Sequence, residues 1–190
     1  LETDLSATDN IPFDFAIRKP SMVQFGNHPS GMEPNAFTTT GSISDTELFS
    51  FQLKPYAGGN QTIQKIVISL DDIVGVTDSD ITNVNLYLDE DGDGVVDAGE
   101  VTTYGGAGVV DGVVLGSSNI AFTTSFTLTG ATNLILQADL ANLVAKDKMN
   151  VTLTTTGITA GANTEILGYV DNHQHIQHDF SLDAGQAKIS

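Results

Sequence analysis

The stretch Asp89 to Glu100, reading DEDGDGVVDAGE, constrains the fold more than any other part of the chain, because it needs a rigid element on each side. The flanks show which kind. Val84, Leu86 and Leu88 alternate with Asn83, Asn85 and Tyr87, the period-two pattern of a half-buried strand. Val101 to Tyr104 are mostly β-branched or aromatic and end at Gly105-Gly106. The loop therefore joins strands, with no amphipathic helix leading in. Inside it, Asp89, Asp91 and Asp93 supply carboxylates at loop positions one, three and five. Gly94 permits the sharp turn at six, Val95 offers a backbone carbonyl at seven, and Asp97 and Glu100 complete nine and twelve. A hard divalent cation takes about six to eight oxygens, which makes calcium the expected ion. The five carboxylates of this ligand set, crowded into one loop, repel one another, and a cation removes that cost. A calcium sensor swings two helices apart, and this loop has none beside it, so the metal reads as a structural staple.

Strand patterns dominate the rest of the chain. Phe49, Phe51 and Leu53 alternate with polar partners, as do Ile66, Ile68 and Leu70, then Phe126 and Leu128. Leu134, Leu136, Ala138 and Leu140 follow, and finally Val151 and Leu153. Gly58-Gly59-Asn60, Asp71-Asp72, Gly105-Gly106, Gly130 and Gly157 punctuate the pattern at intervals typical of a sandwich. Ser69 to Val76 and Asp139 to Lys148 have room for short helical turns; no long helix is expected. The fold class is an all-β, Ig-like sandwich. At 190 residues it can bury a substantial core.

The regular pattern starts near Thr46, which divides the chain into an N-terminal arm and linker over residues 1–45 and a sandwich domain over 46–190. In the arm, Ile11, Phe13, Phe15 and Ile17 share one face of an extended segment. Pro12 and Pro20 confine it to an edge position or to a place beside an incomplete sheet. Two placements are open. The segment can fold back as the first strand of its own sandwich, or complete the sheet of a neighbouring subunit by β-strand addition, which propagates head to tail into a filament. Arg18 and Lys19 favour docking on another copy, because 7 Lys and Arg face 24 Asp and Glu in a chain of net charge -17. Gly26 to Gly41 reads as a linker or long loop.

The same charge argues against nucleic acid and anionic membranes as partners. No apolar run reaches the roughly twenty residues of a membrane span, and no signal-peptide pattern opens the chain. A start at Leu1 rather than Met suggests a processed mature protein or a module excised from a longer one. Cysteine is absent, so thiol chemistry and disulfides are unavailable. No nucleophile elbow, paired acid and base, or phosphate-binding loop is present, and no enzyme activity is expected. His173 and His175 fall on one strand face and form a candidate second metal pair, with Asp171 or Asp179 as a third ligand; the competing reading is a polar, exposed edge strand. His178 would face the other side. Asn60 and Asn150 open glycosylation sequons. Tyr56, Tyr87, Tyr104 and Tyr169 are the expected surface rings.

Taken in order, ELFSFQL from Glu47, IQKIVISL from Ile63, ITNVNLYLDEDGDGVVDAGE from Ile81 and SFTLTGATNLILQADLANLVAKDKMNVTL from Ser125 resemble β-sandwich modules of bacterial and archaeal secreted and surface proteins that carry a DxDxDG calcium loop. The loop is similar to the EF-hand-like loops of dockerins and thrombospondin type 3 repeats, although a dockerin would need a second loop and helices. The resemblance spans about Thr46 to Thr159 and implies an extracellular or cell-surface structural or adhesive role with no catalytic residues. The expected function is a calcium-stabilised subunit of a pilus-like filament or surface layer, joined by donation of the Ile11 to Ile17 strand. The alternative is a calcium-stapled adhesive or carbohydrate-binding module, with surface glycans as partners.

Overall fold

The computed structural model describes residues 21–57 and 59–177. The arm positions Ile11, Phe13, Phe15, Ile17, Arg18 and Lys19, and the tail positions His178 and Asp179, lie outside the described residues. The strands are β1 (Ser21–Asn27), β2 (Gly41–Ala57), β3 (Gln61–Val74), β4 (Ile81–Asp89), β5 (Thr103–Tyr104), β6 (Val109–Val110) and β7 (Ser118–Phe122), followed by β8 (Phe126–Leu128), β9 (Thr132–Leu143), β10 (Lys148–Thr152), β11 (Ile158–Ala160), β12 (Thr164–Gly168) and β13 (His173–Ile176).

They form an all-β, Ig-like sandwich of two sheets. One runs β12-β1-β2-β9-β4-β5; the other runs β13-β10-β3-β7-β6, with β8 and β11 also pairing with β3. Among the described residues, all pairings are antiparallel except β1 with β12. The alternating positions supply the core. Phe49, Phe51 and Leu53 of β2, Ile66, Ile68 and Leu70 of β3, and Leu134, Leu136 and Leu140 of β9 are all buried. Each such side chain contributes about 1.5–3 kcal/mol relative to exposure.

Two expectations change. The sandwich starts before residue 46, because Ser21–Asn27 pairs with both β2 and β12, and Val23 and Phe25 enter the core. The segment 28–40 is no linker. His28, Glu33, Ala36 and Phe37 are buried in it, and it forms a strap from β1 to β13. There the Asn35 side chain pairs with the backbone of Ile176 in both directions, at 2.9 Å each, which covers part of a sheet edge.

The helical turns also fall elsewhere. Residues 69–74 belong to β3 and 139–143 to β9, while the 3₁₀ turns are Asp78–Asp80 and Thr155–Gly157. Asp80 anchors the first. Its Oδ2 accepts the Thr77 backbone amide at 2.9 Å and the Thr77 hydroxyl at 2.6 Å, and its Oδ1 accepts the Asn142 side-chain Nδ2 at 2.7 Å. Burial pushes the Asp80 pKa up, but these hydrogen bonds outweigh it and hold the group below its ordinary value.

Candidate functional site

Asp89 is the last residue of β4, so the sheet fixes the first candidate ligand while the loop supplies the others. Its Oδ1 accepts the Gly92 amide at 2.6 Å and its Oδ2 the Gly94 amide at 2.8 Å. Asp91 Oδ1 accepts the Asp93 amide at 3.2 Å, and Asp93 Oδ1 accepts the Val95 amide at 2.9 Å. Gly92 and Gly94 take left-handed φ values of 80° and 89°, which lets the chain coil around its own carboxylates. One oxygen each from Asp89, Asp91 and Asp93 comes within 4.8 Å of the others. Ligands across a calcium ion with bonds of about 2.4 Å stand roughly 4.8 Å apart, so these three fit one shell.

The electrostatics fit too. The Asp93 amide draws the Asp91 pKa down, but burial and the charges of Asp93, Asp89 and Glu100 prevail and raise it above the ordinary value. A cation relieves that repulsion.

Glu100 is buried and ties the ends of the loop together. Its Oε1 accepts the Glu90 amide at 2.6 Å and its Oε2 the Asp97 amide at 3.1 Å. It stands outside the three-carboxylate group, as does Asp97. Asp89, Asp91 and Asp93 thus form the assembled part of the predicted ligand set.

Two residues missed in the sequence support the loop from the strap. His28 Nε2 lies 2.9 Å from Asp89 Oδ2, both side chains being 0% exposed. Ser30 packs so closely on Gly94 that a Cβ there would sit 2.2 Å from the Ser30 Oγ. No spacing in the sequence links positions 28 and 30 to position 89.

The histidine pair of β13 turns inward, against the expectation of an exposed edge strand. His173 and His175 share a face with ring centroids 4.3 Å apart, and both are buried. His173 Nδ1 donates to Glu33 Oε2 at 2.7 Å. His175 Nδ1 accepts the Ala36 amide at 2.9 Å, so its proton sits on Nε2 and is donated to the Leu48 carbonyl at 2.7 Å. Both nitrogens of His175 are thereby committed to backbone, which leaves it no lone pair for a metal. Asp171 is also engaged, accepting from the Asn27 side chain at 2.6 Å.

Tyr56 and Tyr169 are 69% and 73% exposed, whereas Tyr87 is half-buried and Tyr104 packs on Phe126 at 4.8 Å. Met22, Gln24, Tyr56, Leu167 and Gly168 line a groove of about 320 Å³ on the outer face beside β12. Asn60 is exposed at a turn, and Asn150 is half-buried within β10 between β13 and β3. Among the described residues, no helix is long and apolar enough to cross a membrane.

No protein-family model and no curated protein matches the sequence. Two solved structures are similar at 9% identity. One is a crystal structure of a complex between a CaDoc0917 variant and CaCohA2 at pH 5.5; the match has a TM-score of 0.31 and covers 82% of this chain and 99% of that one. The other is the solution structure of CaCohA2 from Clostridium acetobutylicum, with a TM-score of 0.33 and coverage of 84% and 93%. At these scores the likeness carries no argument about function.

Proposed function

We propose that this chain is a non-catalytic, calcium-stapled subunit of an extracellular filament or surface layer. The observation that carries the calcium reading is the convergence of Asp89, Asp91 and Asp93 on one point, with loop amides already orienting each carboxylate. Calcium bound there ties the end of β4 to the loop leading into β5, and binding to the folded state alone raises stability. Subunits join when the Ile11 to Ile17 strand of one copy adds to a sheet of the next. The edge offered by β12 supports this reading, since it borders the groove at Met22, Tyr56 and Leu167 and, among the described residues, leaves an outer ladder unpaired in the sheet order. Arg18 and Lys19 on the incoming arm complement a strongly acidic partner.

Negative-stain electron microscopy of the full chain in millimolar calcium tests the assembly. Fibres from the full chain and none from a chain lacking residues 1–20 are expected. Fibres from the truncated chain would remove the strand-donation reading. Monodisperse particles from both would favour the adhesive or carbohydrate-binding alternative, for which exposed Tyr56 and Tyr169 offer stacking surfaces.

A further inference from the structure

The first residue of the calcium loop is held from behind by a side chain from another part of the chain. The Ser30 amide approaches His28 Nδ1 at 3.3 Å and the Ser30 hydroxyl does so at 2.7 Å. Nδ1 therefore holds a lone pair, and the imidazole proton sits on Nε2, the nitrogen facing Asp89. Nε2 is buried and 2.9 Å from Asp89 Oδ2, yet off the line of a well-formed hydrogen bond. It is a buried donor beside the first carboxylate of the cluster, with no hydrogen-bond partner among the described residues.

The lone pairs of Asp89 can be counted. A carboxylate offers about four. Gly92 takes one on Oδ1 and Gly94 takes one on Oδ2, which leaves one on each oxygen. His28 Nε2 stands 2.9 Å from Oδ2 and crowds that side, so Oδ1 is the more open to an ion. We infer that His28 is a positioning residue of the calcium site: standing over Oδ2, it favours ligation of Asp89 through Oδ1 and couples ion binding to the seating of the 28–40 strap. This rests on the calcium reading of the loop. The strap transmits the coupling, because Ser30 lies against Gly94 while Glu33 and Asn35 bond to His173 and Ile176 of the opposite sheet. An ion at one end of the sandwich thereby helps fasten the edge strand β13.

Calorimetric titration of calcium into the full chain, His28→Gln and His28→Leu tests the role, since the two variants are of similar size and differ in the ability to donate. Loss of an outer-shell partner lowers metal affinity about 10–100-fold, and that loss is expected for the Leu variant, with Gln staying within several-fold of the parent. His28→Asn, whose donor is too short to reach, replaces Leu if that variant does not melt cooperatively. Equal calcium affinity in all variants, with only the calcium-free melting temperature lowered, would show that His28 merely packs and would overturn the inference while leaving the site intact. A parent chain that takes up no calcium would overturn the site and the inference together.

Discussion

The Nε2 proton of His175 is donated to the Leu48 carbonyl at 2.7 Å, a bond from an edge strand of one sheet to a bulged strand of the other. The opposite ring nitrogen takes the Ala36 amide, and Phe37 stacks on the ring at 5.7 Å. His175→Ala leaves a backbone carbonyl and an amide buried without partners and opens a cavity. A loss of about 3 kcal/mol is expected, which lowers Tm by roughly 10 °C in a chain of this size. Calorimetry that finds under about 1 kcal/mol would mean that these bonds do not hold the sheets together.

The same residue sets a pH dependence. Burial pushes the His175 pKa down to about 4 from 6.5, with His173 adding to the effect and the Leu48 hydrogen bond and Glu33 opposing it. Since the folded value is the lower one, the unfolded chain binds the extra proton first. Stability from this group is complete above about pH 6.5 and is lost as pH falls towards 4. Urea unfolding at pH 7 and at pH 4.5 should differ by roughly 2–3 kcal/mol from His175 alone, and His175→Phe should remove that part of the difference. A parent and variant with identical pH profiles would contradict the buried neutral imidazole.

Gly168 ends β12 with φ +116, and a Cβ there would lie 1.9 Å from the Phe25 carbonyl oxygen. Gly168→Ala should therefore cost at least about 2 kcal/mol by separating β12 from β1. Gly130→Ala, which meets nothing within 4 Å, serves as the near-neutral control. Similar melting of the two variants would show that the close β1–β12 approach is unimportant.

The strands were legible because their apolar residues alternate, and the loop because its carboxylates do. The two helical expectations failed for a shared reason. Leu70 and Ile73, like Leu140 and Leu143, are buried three residues apart, which imitates a helix; the actual cause is a bulge at Asp72 (φ 51°) and at Asn142 (φ 55°). Ile81 and Val84 around Asn83 (φ 50°) repeat the device. The strap is not legible in the sequence because its buried residues, His28, Glu33, Ala36 and Phe37, follow no period, and Pro29, Ser30, Gly31 and Pro34 between them give the composition of a linker. The inward turn of His173 and His175 depends on Glu33, Ala36 and Leu48, residues more than a hundred positions away.

The calcium staple is tested most directly by the melting temperature of the full chain in chelator and in millimolar calcium, beside Asp91→Asn/Asp93→Asn. Both aspartates are exposed, so their replacement leaves the core untouched. An ion at about one hundred times its Kd adds roughly 2.7 kcal/mol, which should raise the parent Tm by several degrees and leave the double variant unmoved. In chelator the double variant should melt no lower than the parent, since the change removes repelling charges. A parent chain that melts at the same temperature with and without calcium would contradict the account.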